Sequence, residues 1–284
     1  MARDNRRTPQ SVTAYFYYQD ELSTAHDLIF KGERVVIPKA MRRDMLDRIH
    51  SSHLGENSCL KRARETIFWP GIKSDVKDYI RKCDVWLSMA TKQLKEPMYP
   101  QGAPARPLAK VAADLFVLDS KNYLVTVDYF SNFLEIDHLT TTTSPAVIPK
   151  LKTQFARFGI PDELVTDNGP QFVSDEFQRF VFKWEFKHST TSSHYPQANG
   201  KAENAVKIAK ALLTKSKEAQ TDPYISLLAF RNTPTQGFDS SPVQRLMNRR
   251  TRTALPIEST LLCSRVPTGV GTQMKEAKQK QAFY

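Results

Sequence analysis

The 284-residue sequence contains few cysteines, no long apolar run and no excess of acidic side chains. Its three cysteines, Cys59, Cys83 and Cys263, are too few and too scattered for a disulfide framework, which favours a reducing compartment. No stretch approaches the roughly 20 apolar residues that a membrane span needs, and residues 1–4 do not begin a signal peptide. We therefore expect a protein of the nucleus or cytoplasm with no membrane partner.

The composition combines a normal apolar content with a surplus of basic side chains. Apolar residues make up 40% of the chain, enough for the core of one large domain or two smaller ones. The 41 lysines and arginines outnumber the 30 acidic residues, which gives a formal charge of +11. Such a charge favours a polyanionic partner, because neutralising phosphates releases counterions. Charge alone is equally compatible with a basic protein that binds no nucleic acid.

The first third of the chain has the pattern of a small helical module, which we place at residues 28–90 after an N-terminal extension at residues 1–27. Two apolar runs flank Gly32 and predict a hairpin that ends at Pro38. Apolar residues at helical spacing follow. The predicted helices cover about residues 39–49, 56–66 and 72–82.

The remainder predicts an α/β domain. Residues 91–109 form a proline-rich basic linker, and residues 110–260 carry alternating strand and helix signals. Three short apolar runs predict an antiparallel meander, followed by a helix, a strand, a helix with Ser174 as N-cap and a fifth strand. A basic tail occupies residues 261–284.

Three acidic residues are placed where a metal site could form. A short buried strand ends at Asp167, which enters an Asn168-Gly169 turn. Glu203 follows 36 positions later (203 − 167), and Asp114 interrupts an apolar strand upstream. Taken alone, residues 167–169 are only a turn. Together, the three carboxylates are the hard oxygen ligands that Mg²⁺ prefers.

These carboxylates and the segments around them resemble the Asp-Asp-Glu catalytic core of retroviral and retrotransposon integrases. The resemblance is strongest to the gypsy-type LTR retrotransposon branch and runs from about residue 21 to the C-terminus. The matching segments are residues 123–131 (YLVTVDYFS), 167–172 (DNGPQF), 196–203 (PQANGKAE) and 231–234 (RNTP).

The resemblance implies a ribonuclease H-like core, a mixed five-stranded sheet flanked by helices, behind a small zinc-finger-like helical module. It implies a DDE-type polynucleotidyl transferase that cleaves DNA 3′ ends and transfers strands with two Mg²⁺ or Mn²⁺ ions. Asp114, Asp167 and Glu203 would be the catalytic metal ligands. The implied partners are the DNA ends of a transposable element, target DNA and further copies of the chain.

The same resemblance implies a zinc site in the N-terminal module, with His50, His53 and Cys83 as ligands. Trp86 stands where the family has the second cysteine of a Cys-x-x-Cys pair, and an indole cannot donate a lone pair to zinc. Cys59 is not the family ligand, and it lies inside a predicted helix. Two interpretations stay open: an incomplete zinc site, or a module held together by its apolar residues.

Several basic residues are candidates for DNA contacts. Glu203, Lys207 and Lys210 fall at i, i+4 and i+7, so they share one helix face. That face is either a solvated Glu-Lys surface or a phosphate-binding surface beside the metal ligands. The predicted DNA-binding residues are Asn199, Lys201, Lys207, Lys210, Arg249 and Arg250.

Two functions from different classes remain at this point. The retained carboxylates favour an active integrase. The tryptophan in the zinc motif favours a truncated or domesticated remnant that binds nucleic acid without catalysis. The resemblance also leads us to expect a further DNA-binding β-barrel, which residues 261–284 are too short to form.

Overall fold

The structure is a computed structural model, and it describes residues 9, 12–85, 104–191, 196–265, 269–274 and 276, with only the backbone described for 196–199. Trp86 and most of the predicted linker lie outside these residues. The described elements form an N-terminal module and an α/β domain. Within the described ranges, every helix is too short or too polar to cross a membrane.

The N-terminal module contains the predicted hairpin and the three predicted helices, which confirms the local pattern. Its elements in chain order are a 3-10 helix Thr13–Glu21, β1 Leu22–Ala25, β2 Leu28–Lys31, β3 Arg34–Val36, a 3-10 turn Lys39–Met41, α1 Arg42–Ile49, α2 Glu56–Thr66, β4 Ile67–Phe68 and α3 Ile72–Ile80. The strands make one sheet in the order β1-β2-β3-β4.

The predicted boundary at residue 28 is wrong, because the sheet begins at Leu22. Strand β1 pairs antiparallel with β2 from Leu22 opposite Lys31 to Ala25 opposite Leu28. The 3-10 helix before it is also attached, since Glu21 pairs with the Lys31 ammonium at 2.5 Å and Tyr18 packs edge-on to Phe68. Most side chains of β1 are exposed, so the strand has no apolar alternation to reveal it.

The core of the module is completed by a residue from far along the chain. Leu255 is 3% exposed and belongs to the same apolar cluster as residues of α1, α2 and α3. Arg48 reaches the neighbouring carbonyl, donating to Ala254 O at 2.8 Å. Residues 254–255, which we expected in the catalytic core at 110–260, therefore pack with the module. The buried apolar cluster contains Phe30, Val35, Ile37, Met45, Ile49, Cys59, Leu60, Ala63, Ile67, Trp69, Val76, Ile80 and Leu255.

The second domain is the predicted mixed α/β fold. Its elements are β5 Lys110–Leu118, β6 Lys121–Asp128, β7 Leu134–Leu139, α4 Ser144–Phe158, β8 Glu163–Thr166, α5 Pro170–Val173, α6 Asp175–Trp184, β9 Lys187–Thr190, α7 Pro196–Glu218, α8 Pro223–Arg231, α9 Pro242–Met247 and a 3-10 turn Ser259–Leu262. The sheet order is β7-β6-β5-β8-β9. Strands β5, β6 and β7 form the predicted antiparallel meander, while β8 and β9 run parallel to β5.

Helices cover both faces of the central strand β5. Val111 and Ala113 face a cluster rich in phenylalanine under α4 and α6. Ala112 and Phe116 face α7, whose Ala202, Ala205 and Ala209 pack against the sheet. Small side chains on both sides let the helix approach the strand closely. A strand buried on both faces should be apolar throughout, so the carboxylate of Asp114 in its middle requires an explanation.

Two further expectations are corrected near the edges of this domain. The fifth strand was expected at residues 185–188 but lies at Lys187–Thr190, because Glu185 adopts a left-handed conformation (φ 54°) that ends α6. The predicted tail is partly folded onto the core, since Val270 and Met274 are buried against Phe238.

Candidate functional site

The sheet places Asp114 and Asp167 on neighbouring strands at the same level. Parallel strands β5 and β8 pair Ala112 with Val165. Each carboxylate lies two residues further along its own strand (114 − 112 and 167 − 165), so the two are side by side. Because side chains alternate between the two faces of a strand, residues 112 and 114 lie on the same face of β5. Helix α7 covers that face. The pairing register alone therefore brings two of the three predicted acids together.

Helix α7 supplies the third acid. Ala202 is buried against the sheet, and Glu203, the next residue, is exposed at the edge of that contact. The pKa of Asp114 reflects this proximity. Burial raises the pKa of Asp114 to about 6, and the charges of Asp167 and Glu203 raise it as well. A hydrogen bond from Leu115 N and the Lys210 ammonium act in the opposite direction.

Asp167 is held by the turn that follows its strand. Its Oδ1 accepts a hydrogen bond from Gly169 N at 3.1 Å. A Cβ on Gly169 would lie 3.0 Å from that same oxygen and 2.2 Å from the amide nitrogen of Gln171. The φ of −61° suits any residue, so a larger side chain here would have to displace the Gln171 amide and press on Asp167 Oδ1. The Asn-Gly turn of the sequence therefore orients the carboxylate as well as reversing the chain.

This trio of carboxylates fits divalent cations of the Mg²⁺ type. One partly buried acid faces two others, and the only cation that perturbs its pKa among the described residues is Lys210. Crowded carboxylates with little compensating charge disfavour their own ionised forms, and a bound dication relieves that repulsion. The donors are all carboxylate oxygens, the type that Mg²⁺ and Mn²⁺ prefer.

The predicted DNA-binding residues do not all face solvent. Lys207, Lys210 and Arg249 are exposed. Lys201 is half-buried and donates to Asn132 Oδ1. For Asn199 the structure describes only the backbone.

Arg250, one of the predicted DNA-binding residues, makes its contacts within the protein. Its guanidinium forms an ion pair with the Glu65 carboxylate and donates to Glu65 O at 3.0 Å. Both side chains are mostly buried, at 20% and 23% exposed. Arg250 therefore joins the α/β domain to the N-terminal module, and its charge is used inside the protein.

The predicted zinc ligands are also brought together. One donor atom from each of His50, His53 and Cys83 lies within 4.8 Å of the others. His53 Nδ1 is 3.3 Å from Cys83 Sγ, and ligands on a tetrahedral zinc ion are about 3.3–3.8 Å apart. Among the described residues no fourth histidine, cysteine or acid joins this cluster.

His50 has the environment of a neutral donor. Burial lowers its pKa to about 4, and the nearby charges of His53 and Lys215 lower it further. A backbone hydrogen bond with Leu54 engages the ring, while Nε2 is buried without a hydrogen-bond partner. An unpaired buried nitrogen of this kind fits a metal ligand whose other nitrogen is fixed by the backbone. The cluster therefore supplies three corners of a tetrahedral site.

Cys59 does not provide the fourth corner. It is fully buried on α2, with its Sγ 3.2 Å from Leu54 O and 3.7 Å from His50 Nδ1. Burial raises the pKa of its thiol to about 12. Cys59 is not among the donors that lie within 4.8 Å of one another, and it packs in the apolar core of the module.

Sequence patterns contain no signal for Lys215, a residue of α7 that touches this cluster. Its Nζ donates to His53 O at 2.9 Å. The contact joins residues that are 162 positions apart and depends on how the two domains dock. No motif or spacing in the sequence could have identified it.

Comparisons with known proteins agree with this architecture. Residues 37–92 match the integrase zinc binding domain, and residues 104–196 match the integrase core domain. A Pro-Pol polyprotein of feline foamy virus is 28% identical over 221 residues, which are 75% of this chain and 19% of that protein. An uncharacterized Caenorhabditis elegans protein is 27% identical over 246 residues, 84% of this chain and 19% of that protein. The chain thus spans about a fifth of the length of these relatives.

A solved structure shows the same fold. A chain of the simian T-cell lymphotropic virus intasome superposes with a TM-score of 0.53 at 19% identity, covering 75% of this chain and 78% of that one. At this identity the likeness concerns the fold alone. The match to the integrase core domain indicates that this chain is of the polynucleotidyl transferase superfamily. The chain therefore carries an integrase zinc binding domain followed by an integrase core domain, and its relatives include retroviral polyproteins.

Proposed function

We propose that this chain is a DNA-integrating polynucleotidyl transferase of the retrotransposon type. It would cleave near the 3′ ends of an element's DNA and join those ends to target DNA. The observation that carries the proposal is the parallel register of β5 and β8, which aligns Asp114 with Asp167 beneath the helix of Glu203.

Asp114, Asp167 and Glu203 would hold two divalent cations. When bound, such cations activate the attacking oxygen and stabilise the leaving oxygen of an in-line displacement at phosphorus. The protein contributes a rigid frame for this chemistry. Asp114 is fixed in a strand covered on both faces, and Asp167 is fixed by its hydrogen bond from Gly169 N. These contacts restrict the side chains of Asp114 and Asp167, which lowers the entropic cost of ordering them around a cation.

The exposed lysines of α7 would position the DNA. Lys207 and Lys210 lie one and two helical turns beyond Glu203 on the same face. Lys210 is close enough to Asp114 to lower its pKa, so a phosphate bound by this ammonium would lie beside the carboxylates. Contacts of this kind fix the register of the duplex without reading its sequence. We include the exposed Arg249 in the same surface.

The partners and the cellular location that we propose for the chain follow from this activity. Joining two DNA ends to one target requires at least two active sites, so we propose that the chain acts as a homo-oligomer. Strand transfer into chromosomal DNA requires entry into the nucleus, after synthesis in the cytoplasm.

A strand-transfer assay tests the proposal. Duplex oligonucleotides copying the ends of the encoding element are incubated with supercoiled plasmid and Mg²⁺ or Mn²⁺. We expect joined product from the unmodified chain and at least a hundredfold less from Asp167→Asn. Asp175→Asn, an exposed acid in the first turn of α6, is the matched control and should retain activity. DNA binding without product from the unmodified chain would instead establish the catalytically silent remnant.

A further inference from the structure

The three-donor cluster of His50, His53 and Cys83 already has a cation beside it. The Lys215 ammonium enters from the α/β domain and donates to His53 O. His53 in turn contacts the other two donors: its Nδ1 is 3.3 Å from Cys83 Sγ, and its ring packs edge-on to the His50 ring with the centroids 4.8 Å apart. The ammonium is thus within electrostatic reach of every member of the cluster.

The charge balance of the cluster is poor for a zinc ion. Two thiolates and two neutral imidazoles neutralise a dication in the complete form of this motif. Here the described donors include one thiolate, Cys83, so a bound zinc would leave one positive charge uncompensated. The ammonium of Lys215 would then be a second, in a partly buried environment where like charges repel strongly.

The module is also held together without a metal. Twelve buried apolar residues of the module form one cluster with Leu255, and a four-stranded sheet supports them. Polar contacts to the α/β domain add to this: Lys61 donates to Thr235 O at 2.9 Å, and Ser226 donates to Ser51 O at 3.4 Å. Small domains that depend on zinc generally lack such a core.

We propose that the side chain of Lys215 takes the place of a metal ion in this chain. Its ammonium is the cation beside the three donors, holds the His53 carbonyl and docks the module onto α7. The cluster then remains closed, and the module remains folded, with no zinc bound. This inference concerns folding and domain docking, so it is independent of whether the chain transfers DNA strands.

Metal content and thermal unfolding of the whole chain test the inference. The chain is purified from zinc-supplemented cells, its zinc is measured, and its Tm is recorded with and without a chelator. We expect no retained zinc and the same Tm in both conditions. One zinc per chain whose removal lowers the Tm would overturn the proposal, and this measurement needs no variant.

Substitution of Lys215 provides a second test of the inference. Lys215→Met keeps the aliphatic stem and removes the charge, and we expect the Tm to fall by about 3–8 °C. Lys217→Met is the matched control on the same helix, because Lys217 pairs with Asp119 at the surface, where the two side chains are 68% and 51% exposed. Its Tm should stay near that of the unmodified chain.

A third measurement follows the cluster directly. Measured at a pH at which the Cys83 thiol is ionised in both variants, so that the rate reports access and not charge, Cys83 should react with a thiol reagent at least threefold faster in Lys215→Met than in Lys217→Met. If both variants match the unmodified chain in Tm and in Cys83 reactivity, Lys215 does not hold the cluster and the inference is wrong.

Discussion

Arg249 and Arg250 are neighbours of the same type that the structure assigns to opposite roles. Arg250 pairs with Glu65 of the N-terminal module, whereas Arg249 is exposed. Replacing each by methionine separates an internal contact from a surface charge. We predict that Arg250→Met destabilises the chain, while Arg249→Met leaves stability unchanged and weakens DNA binding.

The size of the effect follows from the contacts that are lost. Arg250 makes a charge-assisted hydrogen bond to Glu65 O and an ion pair with the Glu65 carboxylate. A hydrogen bond involving a charged group contributes about 1.5–3 kcal/mol, and the remaining carboxylate is left mostly buried without its cation. Because both side chains keep about a fifth of their surface exposed, solvent screening reduces this cost. We therefore expect a loss of about 2–3 kcal/mol, against less than about 0.5 kcal/mol for Arg249→Met.

The pH dependence gives a second signature of the same contact. Burial raises the pKa of Glu65, and the Arg250 guanidinium opposes that rise. A raised pKa in the folded state means that the charged carboxylate costs stability once the pH exceeds it. Removing Arg250 raises this pKa further, so the deficit of Arg250→Met should be largest near neutral pH. It should shrink as the pH falls through the raised pKa of Glu65 and the carboxyl becomes protonated.

Urea unfolding of both variants at neutral and mildly acidic pH measures these quantities, with Glu65→Gln and the double variant completing a cycle. A coupling energy above about 1 kcal/mol is expected for side chains in contact. Equal stability of Arg250→Met and Arg249→Met, or a deficit that grows on acidification, would refute the assignment of Arg250 to an internal ion pair.

Two further substitutions test other parts of the structure. Gly169→Ala places a methyl group against Asp167 Oδ1. We expect strand transfer to fall about tenfold or more, with little change in the urea midpoint of unfolding. Undiminished activity would show that this turn does not orient the carboxylate. Leu255→Ala removes a side chain that is 3% exposed in the core of the module, and unfolding free energy should fall by about 2–5 kcal/mol. A loss of unfolding free energy below about 0.5 kcal/mol, as for a surface substitution, would show that Leu255 does not complete that core.

Elements encoded by local patterns could be predicted from the sequence. Helix α2 lies at Glu56–Thr66, as its apolar spacing predicted, and Ser174 caps α6 by accepting from Phe177 N. The convergence of Asp114 and Asp167 was expected through resemblance to a family, and the register of two parallel strands now gives its physical basis. Each of these features depends on residues that are close in sequence or on a sheet whose strand order the family resemblance implies.

Contacts between the domains could not be predicted, because they depend on docking rather than on local pattern. The sequence does not reveal the contact of Arg250 with Glu65, because a run of basic residues looks the same whether it faces solvent or an internal acid. Lys215 and Leu255 carried no motif at all. The exposed strand β1 was missed for a related reason, since an edge strand with little buried surface lacks the alternation that identifies a strand.

The position of Leu255 has a consequence for synthesis on the ribosome. The other members of its apolar cluster end at Ile80, so 175 residues (255 − 80) must be translated before the cluster can close. At about 5–20 residues per second, this takes roughly 9–35 s. During that interval the nascent module lacks the Leu255 side chain that completes its apolar core. A ribosome stalled before residue 255 should hold the module in a protease-sensitive state.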